Sequence, residues 1–289
     1  MKFINNTHNI NVLDLVEKLI WIVCIVSLVC FFGIVSAEAE IPKGDKYETL
    51  GIRHDTKPDV CLFEPNPTHV DWDYWKSVEH ESWRAILEWQ IQMSEFLPEG
   101  DWSMFIHPTV PYHEHWNKTP DDYRHCTIFL TYEYTNEDSD SGALGKTAID
   151  FRKSSHKFTY IVVYLYAEER NKIVIDLENT ERDENGVIRF NLDLTKKPIP
   201  LNSIHNIVLH ELGHGLGLGH YISSVNNDRS VMVRSLDPFD EEQLFEIQIS
   251  DKFMLSKIYG INGYYKPHPH FIYDLCVFTE KGTKSNGCY

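Results

Sequence analysis

The chain has 289 residues, 42% of them hydrophobic, enough to build the core of one large domain or two small ones, and this excludes an intrinsically disordered polypeptide. Its 43 acidic residues against 27 lysines and arginines give a formal charge of -16. With no useful run of Lys or Arg, that excess argues against a nucleic-acid or anionic-lipid partner, since either needs a basic patch to displace counterions.

In chain order, the first distinctive stretch is Leu19 to Ala37, "LIWIVCIVSLVCFFGIVSA", which is uncharged and close to the ~20 apolar residues that cross a bilayer. The sequence favours a retained single-pass anchor, because the run is longer than the about 7–15 residues of a signal-peptide core and a sizeable segment precedes it. Residues 1–40 are then a cytoplasmic stub plus a membrane helix, with the rest of the chain outside the cell. A signal peptide cleaved after "VSA" or "AEA", giving a secreted protein, is the alternative. Cys24 and Cys30 fall within this run, leaving Cys61, Cys126, Cys276 and Cys288 for the exterior part. An oxidising compartment favours disulfides. Four cysteines allow three pairings, of which Cys61–Cys126 with Cys276–Cys288 is the one expected here, against unpaired buried thiols.

Residues 41–68 carry several prolines and no sustained period, and read as a linker. From Val70 to Leu97 the apolar set Trp75, Val78, Ala85, Ile86, Trp89, Met93 and Phe96 recurs at three- and four-residue intervals, predicting an amphipathic helix that packs as core. Strand-like runs start at Asp101, Cys126, Gly142 and Phe158, with weaker ones at Asn171 and Gly186; "ENTERDENG" between the last two suits a solvated hairpin tip. A helix from about Leu201 and a last one from about Ser250 to Tyr259 follow. Strands gathered ahead of one helix and flanked by others give an α+β, or mixed α/β, domain over 69–289.

The segment "HELGHGLGLGH" at 210–220 carries the chemistry. Residues four apart lie on one helical face, so His210 and His214 can present imidazole nitrogens to one metal ion. Gly217 lets the chain leave the helix with positive φ, and His220 then returns to the same point. Three neutral imidazoles with a fourth position open match the catalytic form of Zn2+ coordination, whereas structural zinc is usually closed by four ligands. Glu211, one position round the helix, is placed to act as a base on water and not as a ligand. Gly213 and Gly215 cost roughly 1 kcal/mol each relative to alanine inside a helix, a cost that makes sense if backbone must approach another element closely.

This segment fits His-Glu-x-x-His-x-x-Gly-x-x-His in full, the signature of the metzincin zinc metalloproteases, and "SVM" at 230–232 resembles their Met-turn. Within that clan the chain is most similar to matrixins. "GALG" (Gly142, Ala143, Leu144, Gly145) resembles their substrate-binding edge strand, and "ISDKFMLSKIYG" at 249–260 resembles their closing helix. The similarity spans roughly residues 70 to 262. It implies a twisted, mostly parallel five-stranded sheet, three main helices and a small C-terminal subdomain after residue 220, with Met232 forming an apolar floor under the histidines. It further implies a zinc endopeptidase whose protein or peptide substrate pairs with the edge strand as an antiparallel strand, with the wall "VRSLDPFD" at 233–240 setting side-chain preference. The chain departs from the clan in places. Arg234 stands where astacin-like relatives have tyrosine, and residues 171–196 form an insertion. The calcium and second-zinc ligands of matrixins have no match, although "NEDSDSG" at 136–142 is either a Ca2+ loop or a charged turn. Two alternatives stay open: an inactive ectodomain that uses the fold for adhesion, and a zinc hydrolase acting on something other than peptide.

Overall fold

The computed structural model describes residues 45–50, 53–118, 120–135, 143–151, 157–168, 181–182, 188–189, 196–223, 230–234, 237–239, 245–264, 277–279 and 282–283. All of them belong to one compact unit, Ile41–Tyr289. The longest helix, α1 (Trp72–Phe96), starts where the Asp71 carboxylate accepts a hydrogen bond from the Tyr74 amide at 2.9 Å, an N-cap that satisfies one of the open first-turn donors. Trp75, Val78, Ser82, Ala85, Ile86, Trp89 and Met93 form its buried stripe, and the helix ends ahead of Pro98. The three- and four-residue spacing seen in the sequence is therefore the core face of a 25-residue helix.

Under it lies a five-stranded sheet in the order β3–β2–β4–β6–β5, made of β2 (Asp59–Leu62), β3 (Phe105–Ile106), β4 (Ile128–Glu133), β5 (Gly145–Phe151) and β6 (Lys157–Tyr164). β3, β2, β4 and β6 run parallel, with Val60 opposite Ile128 and Leu130 opposite Ile161; β5 alone is antiparallel, with Gly145 opposite Val163. Successive strand residues point to opposite faces. Val60, Leu62, Ile128, Leu130, Ile161 and Val163 accordingly join the main core with α1, while Cys61, Phe63 and Phe129 form a second cluster with Tyr123 and Cys126 on the reverse face. The Cys61–Cys126 disulfide expected from the sequence is present in that second cluster.

A short helix α2 (Tyr112–Trp116) precedes β4. The histidine-bearing helix α3 (Leu201–Gly215) packs on both α1 and the sheet, and the Trp89 indole donates to the Leu209 carbonyl at 3.0 Å. The last long helix, α4 (Ile249–Tyr259), ends at Gly260, whose positive φ of 79° stops it. A separate four-stranded sheet is ordered β11–β1–β12–β13, from β1 (Lys46–Thr49), β11 (Leu218–Ile222), β12 (Val277–Thr279) and β13 (Gly282–Thr283). β7 (Tyr166–Glu168) pairs with β10 (Lys196–Pro198), and β8 (Glu181–Arg182) with β9 (Ile188–Arg189). The α+β class with a mixed, mostly parallel five-stranded sheet agrees with the sequence reading.

Several expectations change. Residues 46–49 and 59–62, read as linker, are strands, and β2 sits inside the central sheet with Val60 and Leu62 fully buried. β11 and α2 were not anticipated. Of the run from Gly186, only Ile188–Arg189 is strand among the described residues, and the run from Asn171 lies outside them. The membrane-bound reading is corrected: no helix among the described residues is long and apolar enough to cross a membrane. Leu19–Ala37, on which that reading rested, lies outside the described residues, as do Cys276, Cys288 and the 136–142 segment.

The disulfide ties neighbouring parts of the sheet across a sequence separation of 65. Closing a loop of that length restricts the unfolded chain, so replacing both Cys61 and Cys126 by alanine is expected to lower the unfolding free energy by about 2–5 kcal/mol. Urea denaturation of the double variant under non-reducing conditions checks this; an unchanged midpoint would show that the link contributes nothing to stability.

Candidate metal centre

α3 turns its histidines toward one point because of what surrounds its C-terminal end. His210 and His214, one turn apart, have ring centroids 4.5 Å from one another, and His220 on β11 lies 5.4 Å from the first and 4.8 Å from the second. One ligand atom from each lies within 4.8 Å of the others. The return of His220 depends on Gly217, whose φ of 107° is strained for any residue with a Cβ. The helix end is closed by long-range partners. The His54 ring bonds the Gly215 carbonyl at 2.9 Å, the Tyr259 hydroxyl donates to Leu216, and the Leu50 amide donates to Gly217. Carbonyls left open at a helix C-terminus are thereby satisfied.

Each helical imidazole is oriented by its second nitrogen. His210 Nδ1 lies 2.7 Å from the Val231 carbonyl and His214 Nδ1 lies 2.8 Å from the Leu218 carbonyl. A carbonyl only accepts, so both Nδ1 atoms carry the proton and both Nε2 lone pairs are left for a metal, the arrangement that outer hydrogen bonds impose on metal-binding histidines. Burial pushes the His210 imidazole down to about 3, aided by His214 beside it and opposed by the Val231 bond. Burial likewise takes His214 down to about 4, against its Leu218 bond. His220 is lowered by burial and then by the charge of Arg234. Neutral imidazole is the ligating form, so the three rings fit a borderline cation such as Zn2+.

The turn at Ser230–Met232 is held rigidly. Buried Asp251 accepts from the Tyr47 hydroxyl at 2.7 Å, from Ser230 Oγ at 2.8 Å and from the Gln248 amide at 2.7 Å. Ser230 Oγ in turn accepts from the Met232 amide at 3.1 Å. Met232 is fully buried, and a Cβ built on Gly213 would lie 2.4 Å from its sulfur. Gly213 therefore answers to close approach of the turn, as its sequence position suggested. Gly215 faces β6 in the same way, where an added Cβ would come within 3.2 Å of Ile161.

Glu211 is buried at 6% exposure and accepts a hydrogen bond from Thr147 Oγ1 of β5 at 2.5 Å. Burial pushes its carboxyl up to about 7, with the Thr147 bond acting in the other direction. It also lies flat over Gly145, where a Cβ would fall 2.6 Å from Oε1. A cleft of about 470 Å³ is lined by Ala143, Leu144, Gly145 and Thr147 of the β5 segment, by His210, Glu211, His214 and His220, and by Val231, Val233, Arg234 and Phe245. Compared with known protein families and with curated proteins, the chain matches none.

Of the residues singled out from the sequence, the structure brings together His210, His214, His220 and Glu211, with Ala143, Leu144 and Gly145 at the cleft and Met232 buried against Gly213. Gly142 lies outside the described residues. Thr147, Asp251, Ser230 and Tyr47 escaped sequence reasoning; a threonine two places beyond Gly145 was the only signal for the first, and a lone Asp in a helix first turn reads as an ordinary cap. A second grouping, Cys61, His107 and His125, also lies within 4.8 Å, but the Cys61 sulfur is committed to the disulfide and His107 to the Asp59 carboxylate at 2.8 Å.

The two kinds of shift act oppositely on the metal-free protein. His210 and His214 stay neutral when folded, so their contribution is present above pH 6.5, the ordinary value, and is lost as pH falls toward 4 and then 3. Glu211 favours its neutral form when folded, so its contribution is complete below 4.5 and is lost as pH rises through 7. Metal-free Glu211→Gln is therefore expected to be more stable than the parent at pH 8 and equal to it at pH 4.5 and below. Guanidine titrations at the two pH values check this; equal stability at pH 8 would mean that the carboxylate is not held away from water.

Proposed function

We propose that this chain is a zinc-dependent endopeptidase similar to the metzincins. The observation that carries the reading is the convergence of three neutral imidazoles, two with Nδ1 tied to backbone carbonyls, in a cleft that also holds one buried carboxylate, Glu211. His210, His214 and His220 would hold the metal through ring nitrogens. Bound there, zinc supplies Lewis acidity that polarises a substrate carbonyl and makes water acidic near neutral pH. Glu211 takes the proton of the attacking water and passes it to the departing amine. A carboxylate beside the metal can serve both halves of that transfer, accepting the proton and then donating it. Thr147 holds the Glu211 carboxylate in place from the edge strand.

The edge strand supplies the substrate geometry. β5 pairs on one side with β6, and its other side carries no strand among the described residues. An extended peptide can add there as an antiparallel strand, main chain to main chain, with its scissile carbonyl over the histidines. The apolar lining from Leu144, Ile207, Val233 and Phe245 then contacts its side chains. The Cys61–Cys126 disulfide supports an oxidising compartment for this unit and, with it, action on extracellular protein as a secreted enzyme.

Glu211→Ala separates base from ligand. The variant is expected to retain about one zinc per chain while peptide cleavage falls by ~10²–10⁴, the range for loss of a general acid or base. His214→Ala loses both metal and cleavage, and o-phenanthroline reproduces that loss in the parent protein until zinc is added back. Metal analysis alongside casein digestion reads both. Loss of zinc from Glu211→Ala would make the residue a ligand, and retention of zinc with no cleavage by the parent would favour a binding role for the domain.

A further inference from the structure

The described residues that line the cleft bring two cations to it, in a chain that is strongly anionic. Lys146 on β5 and Arg234 beyond the Ser230–Met232 turn both line it, while among the described lining residues the only carboxylate is Glu211, already engaged by Thr147. Among the described residues neither Lys146 nor Arg234 has an acidic partner or a side-chain hydrogen bond. With 43 acidic residues against 27 basic ones, chance alone would give a surface cation acidic company. The backbone that carries Arg234 is also held in position. Val233, just before it, bridges Tyr221 of β11, and its amide donates to Ser230 at 3.2 Å, so the guanidinium starts from backbone fixed beside His220.

An exposed arginine with no acidic partner among the described residues, carried on backbone held beside His220, suits a planar anion. Guanidinium meets carboxylate through two parallel N–H···O bonds, and an ammonium such as that of Lys146 adds charge without that geometry. A cleft of one sign with low-dielectric walls also concentrates ligands of the opposite sign. We propose that Arg234, supported by the field of Lys146, binds a carboxylate of the substrate close to the scissile bond, so that the enzyme selects acidic peptides. The carboxylate comes from an Asp or Glu side chain or from a free peptide C-terminus. This inference rests on the peptidase reading, and its test keeps the two apart.

Binding is measured without turnover on the full chain carrying Glu211→Gln, with zinc present, by fluorescence anisotropy of labelled hexapeptides. The peptides are identical except for Glu, Gln or Lys at one position in turn, and each is made with a free and an amidated C-terminus. Tighter binding of the Glu peptide than of the Gln peptide by about tenfold is expected, with Lys weakest and the advantage shrinking at high salt. Adding Arg234→Gln should abolish the advantage, Arg234→Lys should retain part of it, and Arg234→Glu should invert it toward Lys. An advantage that follows the free C-terminus instead of the side chain also supports carboxylate binding and assigns its source. Equal binding of Glu and Gln peptides with both termini, or a preference that survives Arg234→Gln, overturns the proposal. Ranked binding with no cleavage by the parent leaves the carboxylate site standing and removes the peptidase reading.

Discussion

The hydrogen bond from His210 Nδ1 to the Val231 carbonyl joins two elements that are distant in sequence, and the geometry of the centre follows from it. It sets the tautomer of the ring, and it can form only if the Ser230–Met232 turn lies directly against α3. That proximity requires Gly213 in the helix, because any side chain there would displace the Met232 sulfur. The turn itself is held by Asp251, which reaches it through Ser230 while also accepting from Tyr47 on β1. A buried carboxylate with three donors is stable where an unpaired one would not be. The small second sheet, the last helix and the Ser230–Met232 turn thus meet at Asp251.

The same packing that orders the histidines withdraws them in part from water, and that withdrawal shapes the electrostatics. Two imidazoles held neutral and one carboxyl held near neutrality all reflect the cost of placing charge away from water. None of these groups would be shifted so far on a surface loop. Their burial depends on the sheet below α3 and on α1 behind it, so the 25-residue Trp-rich helix, which touches no ligand, still sets the environment of the site.

Much of this was legible in the sequence where a periodic pattern or a short-range motif carried the signal. The stripe from Trp75 to Met93 and the spacing of His210, His214 and His220 each state a local geometry, and a helix or turn of the expected form delivers it. Signals that depend on pairing between distant segments were weaker. Val60 and Leu62 lie in a stretch broken by prolines and only four residues long as a strand, so nothing local marked them as central; their partners on β3 and β4 do that. Thr147 became visible as a partner of Glu211 only once β5 was known to lie beside α3. Asp251 shows the same limit: its capping role is local, while its hold on the Met232 turn is tertiary.

Among the described residues no strand pairs with the outer side of β5, which leaves a row of backbone amides and carbonyls facing outward there. Such a row is a template for any extended chain, including the same strand of another copy, and exposed edges of this kind are common starting points for aggregation. An exposed lysine on an edge is one of the ways natural sheets discourage it, since two like charges and their water must be brought together as two edges approach. Lys146 occupies that position. A side chain that lends the cleft its charge therefore also guards the edge against pairing with another copy, and replacing it with an apolar residue would remove both effects.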